Sequence, residues 1–162
     1  MTSRNIDKAI ELITKFEGFS STVYRCPAGV LTLGYGHTAG VKWGDTITKE
    51  HALELLKLDI QIIQNKLEEY DSIYYWTNNE YNALLSFGYN LGTGSIDQVT
   101  NYGNRTKEII AKKMLLYCNA NGEQLAGLVT RRKEEQKLFL TPDSSGLNDN
   151  IIISLKREDD KK

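Results

Sequence analysis

The chain has 162 residues, of which 40% are hydrophobic and 25% charged, a composition typical of one soluble globular domain and not of a disordered or fibrous chain. The 20 Lys and Arg residues nearly balance 21 Asp and Glu residues, and the net charge of −1 supplies no general attraction to nucleic acid or to an anionic membrane. No apolar run approaches the roughly 20 residues of a membrane span, and a signal-peptide pattern is absent. We therefore expect a cytosolic product without a nucleic-acid partner or stable membrane association.

The N-terminal part combines one helix with a small β unit. Apolar residues recur at spacings of three and four between residues 6 and 16, which predicts an amphipathic helix with Ser3 or Asn5 as its N-cap. Between residues 19 and 38, proline and glycine interrupt short apolar runs. This pattern predicts a β-hairpin that turns at Pro27-Ala28-Gly29.

The rest of the chain is predicted to be helical. A long helix begins after the N-cap Thr48 and ends near Glu69. Thr77 and Glu80 form a capping box, which opens a central helix that is apolar on most sides and therefore buried. The fold class is α+β and mostly α. Two further helices are predicted over 105–118 and 123–140, separated by a turn at 119–122. The folded domain is predicted to cover residues 1–140, followed by a polar C-terminal tail of residues 141–162.

The first candidate for chemistry is Glu17. It lies four residues after Ile13 and continues the apolar stripe of the first helix, whereas Glu11 falls off that stripe. A carboxylate at the edge of a core loses contact with water, which favours its protonated form and makes it a candidate general acid. The structural alternative is a helix-end glutamate that turns to solvent or pairs with an arginine.

Two further candidates follow at short distances along the chain. Cys26 lies nine residues after Glu17, beside the hairpin turn. An unpaired cysteine is usually a small buried hydrophobe, although the neighbouring Arg25 would favour a thiolate. Thr32 lies fifteen residues after Glu17 between two leucines, and strand alternation turns its hydroxyl to the face opposite theirs. Neither residue alone indicates a function.

Together these positions resemble a known family. Glu17-Gly18, the segment 24–29 and the segment 31–38 with its Gly-Tyr-Gly-His element resemble the phage-type lysozymes, the bacteriophage endolysins of glycoside hydrolase family 24. In that family a Glu ends the first helix, an Asp or Cys follows nine residues later, and a Thr follows fifteen residues later. Cys26 stands where the best-known members have a carboxylate, so the chain resembles a Glu–Cys–Thr variant. Segments 44–48, 86–94 and 127–135 also match, whereas 95–117 matches weakly.

The resemblance implies a lysozyme-like fold. A small N-terminal β-hairpin lobe and a larger helical lobe would be joined by a long helix, with the substrate cleft between them. Glu17 would protonate the glycosidic oxygen, and Cys26 and Thr32 would bind or activate the attacking water on the other face of the sugar. The alternative is that Cys26 attacks the anomeric carbon as a thiolate. We favour the water-based, inverting reaction.

Other residues are predicted to surround this centre. Tyr35, Tyr89, Asn90 and Arg132 are candidates for contact with the substrate, with packing as an equal alternative for Tyr89. Arg132 lies on the apolar side of its helix and needs a buried partner, either Glu17 or the nearby residues 134 and 135. His37 is predicted to be structural, paired with a carboxylate or a backbone carbonyl. The two His and two Cys residues show no metal-ligand spacing, so neither a metal nor another cofactor is expected.

Three functions compete at this stage. The first is a muramidase that hydrolyses the β-1,4 bond between N-acetylmuramic acid and N-acetylglucosamine in peptidoglycan. The second is a lytic transglycosylase on the same fold, and the third is a peptidoglycan-binding protein without catalysis. The resemblance implies a monomer that acts on peptidoglycan glycan strands, lyses the bacterial host and accumulates in the host cytoplasm until a holin releases it.

Overall fold

Helices arranged around one central helix form most of the structure. The computed structural model describes residues 4–120 and 122–143. Its elements in chain order are α1 (Asp7–Glu17), β1 (Ser20–Arg25), β2 (Leu31–Gly34), α2 (Lys49–Asp59), α3 (Gln61–Glu69), α4 (Asp71–Tyr74), α5 (Asn78–Leu91), α6 (Gly94–Thr100), α7 (Lys107–Met114), β3 (Asn119–Ala120), β4 (Glu123–Gln124) and α8 (Ala126–Leu140).

The central helix is α5. Every residue from Asn79 to Gly88 is buried, because α1, α3, α6 and α8 all pack around it. The predicted capping box is present: Thr77 accepts a hydrogen bond from the Glu80 N–H, and the Glu80 carboxylate accepts one from the Thr77 N–H at 2.8 Å. The interpretation of this segment as a buried helix is confirmed.

The predicted hairpin is formed by β1 and β2, which pair antiparallel with Tyr24 opposite Thr32. Its turn is closed by two backbone hydrogen bonds: the Cys26 N–H donates to the Val30 carbonyl at 2.9 Å, and the Gly29 N–H donates to the Cys26 carbonyl at 2.8 Å. Cys26 is therefore fixed at the first position of a tight turn, and Thr32 lies on the strand that leaves it.

The predicted and the observed elements differ at several points, among them α7, which covers Lys107–Met114 where a helix over 105–118 was predicted. The predicted long helix is two helices, α2 and α3, that meet at Ile60. This residue has right-handed helical backbone angles, and neither proline nor glycine marks the junction. Residues 119–124 contain a second hairpin, and the last helix therefore begins at Ala126 rather than at residue 123. A further helix, α6, occupies residues 94–100. The first helix takes Ile6 as its N-cap, while the Asn5 Oδ1 accepts from the Asp7 N–H at 2.8 Å.

The chain beyond α8 is tied to the start of α5. The Asp143 carboxylate accepts hydrogen bonds from the backbone N–H groups of Asn78 at 2.6 Å and Asn79 at 2.9 Å. The Asn79 side-chain amide also donates to the Thr141 carbonyl at 3.0 Å. Residues 141–143 are thus part of the packed body, and the remainder of the predicted tail lies outside the described residues.

This contact predicts a stability effect. Asp143→Ala leaves two N–H groups of the first turn of α5 without their partner and removes a negative charge from the positive end of the helix. We expect the free energy of unfolding to fall by about 1–2 kcal/mol, the range for loss of a helix cap, in urea denaturation followed by circular dichroism. Asp143→Asn keeps an acceptor oxygen and should lose less. Parental stability of Asp143→Ala would contradict a capping role.

Candidate active site

A cavity of about 640 Å³ lies where the end of α1, the β1–β2 hairpin and the C-terminal part of α5 meet. This volume falls within the range of small-molecule and sugar-sized sites. Three sequence-predicted catalytic residues and three of the surrounding candidates line it: Glu17, Cys26, Thr32, His37, Tyr89 and Asn90. The structure therefore brings together residues from α1, β2 and α5 and from the two loops before and after β2.

Glu17 is the last residue of α1, and the helix ends at Gly18 with a positive φ of 69°. Its side chain is 23% exposed, and its Oε1 accepts a hydrogen bond from the Arg131 Nη1 at 2.8 Å. The other oxygen, Oε2, faces Gly36, where an added Cβ would lie only 3.1 Å from this oxygen and 3.1 Å from the Tyr89 hydroxyl. Gly36 also has a φ of 89°, so glycine is required there both by the backbone and by this close approach.

The arginine that holds Glu17 is Arg131, so of the two partners considered for Arg132 the structure excludes Glu17. Successive residues on a helix point about 100° apart, and the two arginines therefore reach different partners. Arg132 is fully buried; its Nη2 donates to the Asn90 Oδ1 at 2.6 Å, and its Nε lies 2.9 Å from Glu135 Oε1 in an ion pair. With no exposed surface, Arg132 does not support the predicted contact with sugar, whereas the alternative pairing with Glu135 is confirmed.

Arg131 was missed by the sequence analysis. It is 3% exposed, and besides Glu17 it contacts Glu135 Oε2 through Nε at 3.3 Å and the Ser86 carbonyl through Nη2 at 3.3 Å. The available signal was its i,i+4 spacing to Glu135, because a charged pair on the buried side of a helix indicates a network. This residue joins α8 to the catalytic end of α1.

Cys26 and Thr32 face the same cavity from the hairpin. Cys26 forms no disulfide and is partly buried. Hydrogen bonding to the Val30 backbone lowers the pKa of the Cys26 thiol, with smaller contributions from the Ala28 backbone and the Thr32 hydroxyl, while desolvation opposes this change. Thr32 is 3% exposed, and its hydroxyl donates to the Val30 carbonyl at 2.9 Å. A thiol with a lowered pKa is present more often as the thiolate, the form that accepts protons and attacks electrophiles.

Two tyrosines surround the Glu17 carboxylate. Burial raises the pKa of Tyr89, and the Glu17 and Asp59 carboxylates raise it further. Burial also raises the pKa of Tyr24, with added effects from Glu17 and Cys26. Both phenols therefore stay protonated at neutral pH, and the Tyr89 hydroxyl donates to the Tyr35 carbonyl at 2.7 Å.

Tyr35 contributes to the site through its backbone. Its ring packs against Phe19 with centroids 5.4 Å apart and against the small cluster around Ile13. Its side chain is not among those that line the cavity. The predicted contact of this ring with the substrate therefore finds no support, and the carbonyl that holds the Tyr89 hydroxyl is its role in the structure.

His37 ties the hairpin lobe to the end of α2. Its Nδ1 lies 2.7 Å from Asp59 Oδ2 and its Nε2 lies 2.8 Å from the Ala39 carbonyl oxygen. The two contacts hold the imidazole ring from both of its nitrogens. The prediction that His37 pairs with a carboxylate or a backbone carbonyl is confirmed for both kinds of partner.

Residues 14–135 match the family model of phage lysozyme. The match runs from the end of α1 into α8 and includes Glu17, Cys26, Thr32 and Arg131. The chain belongs to the phage lysozyme family. The predicted fold class, α+β and mostly helical with a small N-terminal hairpin, is confirmed by the structure and by its likeness to solved endolysins.

This phage lysozyme is similar to curated endolysins over most of its length. It is 33% identical over 140 residues to an endolysin of Acyrthosiphon pisum secondary endosymbiont phage 1, covering 82% of this chain and 95% of that one. It is 36% identical over 143 residues to a SAR-endolysin of Pseudomonas phage phiKMV, covering 84% and 88%. The crystal structure of the active form of the P1 phage endolysin Lyz superposes with a TM-score of 0.74 at 26% identity, covering 85% and 84%.

Two properties of the described residues bear on other classes of function. Across residues 4–120 and 122–143, no helix combines the length and hydropathy that crossing a membrane needs. In the same residues, the His, Cys, Asp and Glu side chains form no group of three or more placed to hold a metal ion.

Proposed function

We propose that this lysozyme hydrolyses the β-1,4 bond between N-acetylmuramic acid and N-acetylglucosamine in bacterial peptidoglycan. The observation that carries the proposal is the convergence of Glu17, Cys26 and Thr32 on one cavity from a helix end and from two parts of a hairpin. A carboxyl group on one side of a glycosidic bond and a proton acceptor on the other are the two groups that hydrolysis needs.

The proposed reaction begins with Glu17. Its protonated carboxyl donates to the glycosidic oxygen as the bond to the anomeric carbon breaks, and the hydroxyl of the departing sugar keeps that proton. Arg131 holds one carboxylate oxygen, and Gly36 gives the other a free approach. A protonated carboxyl on a fixed helix end thus acts as the general acid.

Water completes the proposed reaction from the hairpin side. The Thr32 hydroxyl donates its proton to the Val30 carbonyl, so its lone pairs are left to accept from a water molecule. The Cys26 thiolate takes a proton from that water as the water oxygen bonds to the anomeric carbon, which inverts its configuration. Solvent exchange then returns a proton to Glu17 and removes one from Cys26. In the competing route the Cys26 thiolate attacks the anomeric carbon directly, and the product then retains the anomeric configuration.

The biological setting is part of the same proposal. We place the protein in the cytoplasm of a bacterial host as a monomer, with release to the cell wall through a lesion made by a holin. Support comes from the endolysins to which the chain is similar and from the reduced state that a free thiol in the active site requires.

Product analysis tests the proposed activity. Purified peptidoglycan digested with the protein is expected to yield fragments with reducing N-acetylmuramic acid ends, read by mass spectrometry before and after borohydride reduction. Anhydro-muramic ends would identify a lytic transglycosylase. Binding to peptidoglycan in a pelleting assay without released fragments would identify a non-catalytic protein.

A further inference from the structure

A buried cluster of charges connects the catalytic end of α1 to α8. Glu17 is held by Arg131, Arg131 contacts Glu135, and Glu135 contacts Arg132. The Ser86 hydroxyl of α5 donates to Glu135 Oε2 at 2.6 Å. Glu135 is 0% exposed and does not line the cavity, so it is distant from any substrate, yet it touches the residue that holds the proposed general acid.

The composition of the cluster sets its charge. Two guanidiniums supply two positive charges, and an ionised Glu135 cancels one of them. Burial raises the pKa of Glu135, while the two arginines and the Ser86 hydroxyl oppose that rise. A neutral Glu135 would leave the buried Arg132 without its anionic partner and Arg131 with Glu17 alone, which is the costlier state. We therefore take Glu135 as a carboxylate in the resting protein.

This charge affects Glu17 through Arg131. A guanidinium beside a carboxylate favours the ionised form, and the ionised form of Glu17 cannot protonate a leaving group. Glu135 shares the charge of Arg131 at its Nε, on the side away from Glu17. Glu135 therefore weakens the stabilisation that Arg131 gives to the ionised form of Glu17, while it keeps the guanidinium oriented toward Glu17.

We propose that Glu135 is a positioning residue of the lysozyme reaction, which orients Arg131 and limits its charge so that Glu17 stays protonated long enough to act as the general acid. This inference rests on the proposed role of Glu17. It assigns to the buried Arg-Arg-x-x-Glu segment of α8 a task in proton donation in addition to packing.

The other groups that face these carboxylates come from several elements. Glu17 is faced by Arg131 of α8, Tyr89 of α5 and Tyr24 of β1. Glu135 is faced by Arg131 and Arg132 on its own helix and by Ser86 of α5. Arg132 in turn donates a hydrogen bond to Asn90. Burial lowers the pKa of Arg132, and Glu135 and Cys118 oppose that change. Among the described residues, Arg131 is contacted by Glu135 and by Ser86, and Glu135 is the one of these two partners that carries a charge.

The test measures kcat/KM on purified peptidoglycan against pH at constant ionic strength. In Glu135→Gln, the full positive charge of Arg131 acts on Glu17, which then loses its proton at lower pH. The limb of the profile that Glu17 sets, identified by the NMR titration of Glu17, is expected to move down by about 1 pH unit, the size of effect that a nearby charge produces. In Arg131→Gln the limb is expected to move up. A loss of packing would not move the Glu17 limb in opposite directions in Glu135→Gln and Arg131→Gln, whereas a change of charge does.

Two control variants separate charge from structure. Ser86→Ala removes the hydroxyl contacts to Glu135 and to Arg131 Nη2 but no charge, and it keeps the Ser86 carbonyl that also accepts from Arg131, so it should lower the thermal midpoint and leave the Glu17 limb in place. Glu135→Asp keeps the charge and should hold the limb closer to that of the parent than Glu135→Gln does. An NMR titration of ¹³C-labelled glutamate carboxyls, with the Glu17 signal assigned by its loss in Glu17→Gln, reads the proton on Glu17 without catalysis.

The variants test the role of Glu135 as a positioning residue and the role of Glu17 as the general acid separately. If Glu17→Gln is inactive but Glu135→Gln keeps the parental limb and NMR titration, Glu135 is structural only and this inference is overturned. If Glu17→Gln keeps activity, the proposed role of Glu17 fails first. A Glu135→Gln protein that does not fold leaves the Glu135→Asp and Arg131→Gln profiles to decide, and equal limbs in those two variants also overturn the inference.

Discussion

Replacing Glu17 by glutamine is expected to lower turnover of peptidoglycan by about 10²–10⁴-fold, the usual contribution of a positioned general acid. The amide has nearly the same shape as the carboxyl group, and its oxygen can still accept from Arg131, as Glu17 Oε1 does at 2.8 Å. What it lacks is an acidic proton for the glycosidic oxygen. The measurement is release of reducing ends from purified peptidoglycan under conditions that give a linear rate for the parent.

A matched control lies on the same helix. Glu11 is exposed on α1 and does not line the cavity, so Glu11→Gln makes the same chemical change away from the cleft. This variant should keep the parental rate, and both variants should keep the parental circular dichroism spectrum and thermal midpoint. A folded Glu17→Gln protein with parental turnover would falsify the assignment of Glu17 as the acid.

The sequence predicted the elements whose signals are local. Thr77 and Glu80 form the predicted capping box because both halves of that motif lie within one turn. The hairpin turn at Pro27-Ala28-Gly29 was also predicted, since proline fixes φ and glycine permits the positive φ that Gly29 has, at 82°. The junction at Ile60 could not be found in this way: Ile60 keeps helical angles and is fully buried, and it packs in a cluster with Ile13 of α1 and Leu56 of α2.

The catalytic centre was only partly predictable, for the same physical reason. Glu17 follows from the helical period, and the spacing to Cys26 and Thr32 follows from the motif. Arg131 and Arg132 are adjacent, and which of them reaches Glu17 depends on how α8 is rotated against α1. Charged residues are distributed around α8, so the sequence pattern does not define this rotation. The structure resolves it, since only Arg131 reaches Glu17 while Arg132 is held by Asn90 and Glu135.

Cys26 gives the second prediction with a large effect, because substitutions there separate three roles. For water activation, the role proposed here, Cys26→Ala should lose about 10²-fold or more in turnover, since the proton acceptor is removed. Cys26→Asp should keep substantial activity, because a carboxylate stands at this position in the family members that the chain resembles. A residue that only fills space would instead tolerate both Ala and Ser.

The covalent alternative has its own signature. A Cys26 thiolate that attacks the anomeric carbon would require a sulfur nucleophile, so Ala and Asp should both be inactive and Ser poor. The product would retain the anomeric configuration, which ¹H NMR of the first-formed anomer detects. Inversion with an active Cys26→Asp protein supports water activation, and retention with an inactive Cys26→Asp protein contradicts it.

Alkylation adds a test that needs no substitution in the cleft. Because the Val30 backbone lowers the pKa of Cys26 and the thiol faces the cavity, iodoacetamide should modify it readily and stop lysis, and chitooligosaccharide should slow the modification. Cys118 is the internal control: it is 8% exposed and accepts a hydrogen bond from the Gln124 amide, so it should react slowly. Mass spectrometry of the labelled peptides distinguishes the two cysteines. An active Cys26→Ala enzyme that alkylation does not inhibit would reduce the catalytic set to Glu17 and Thr32.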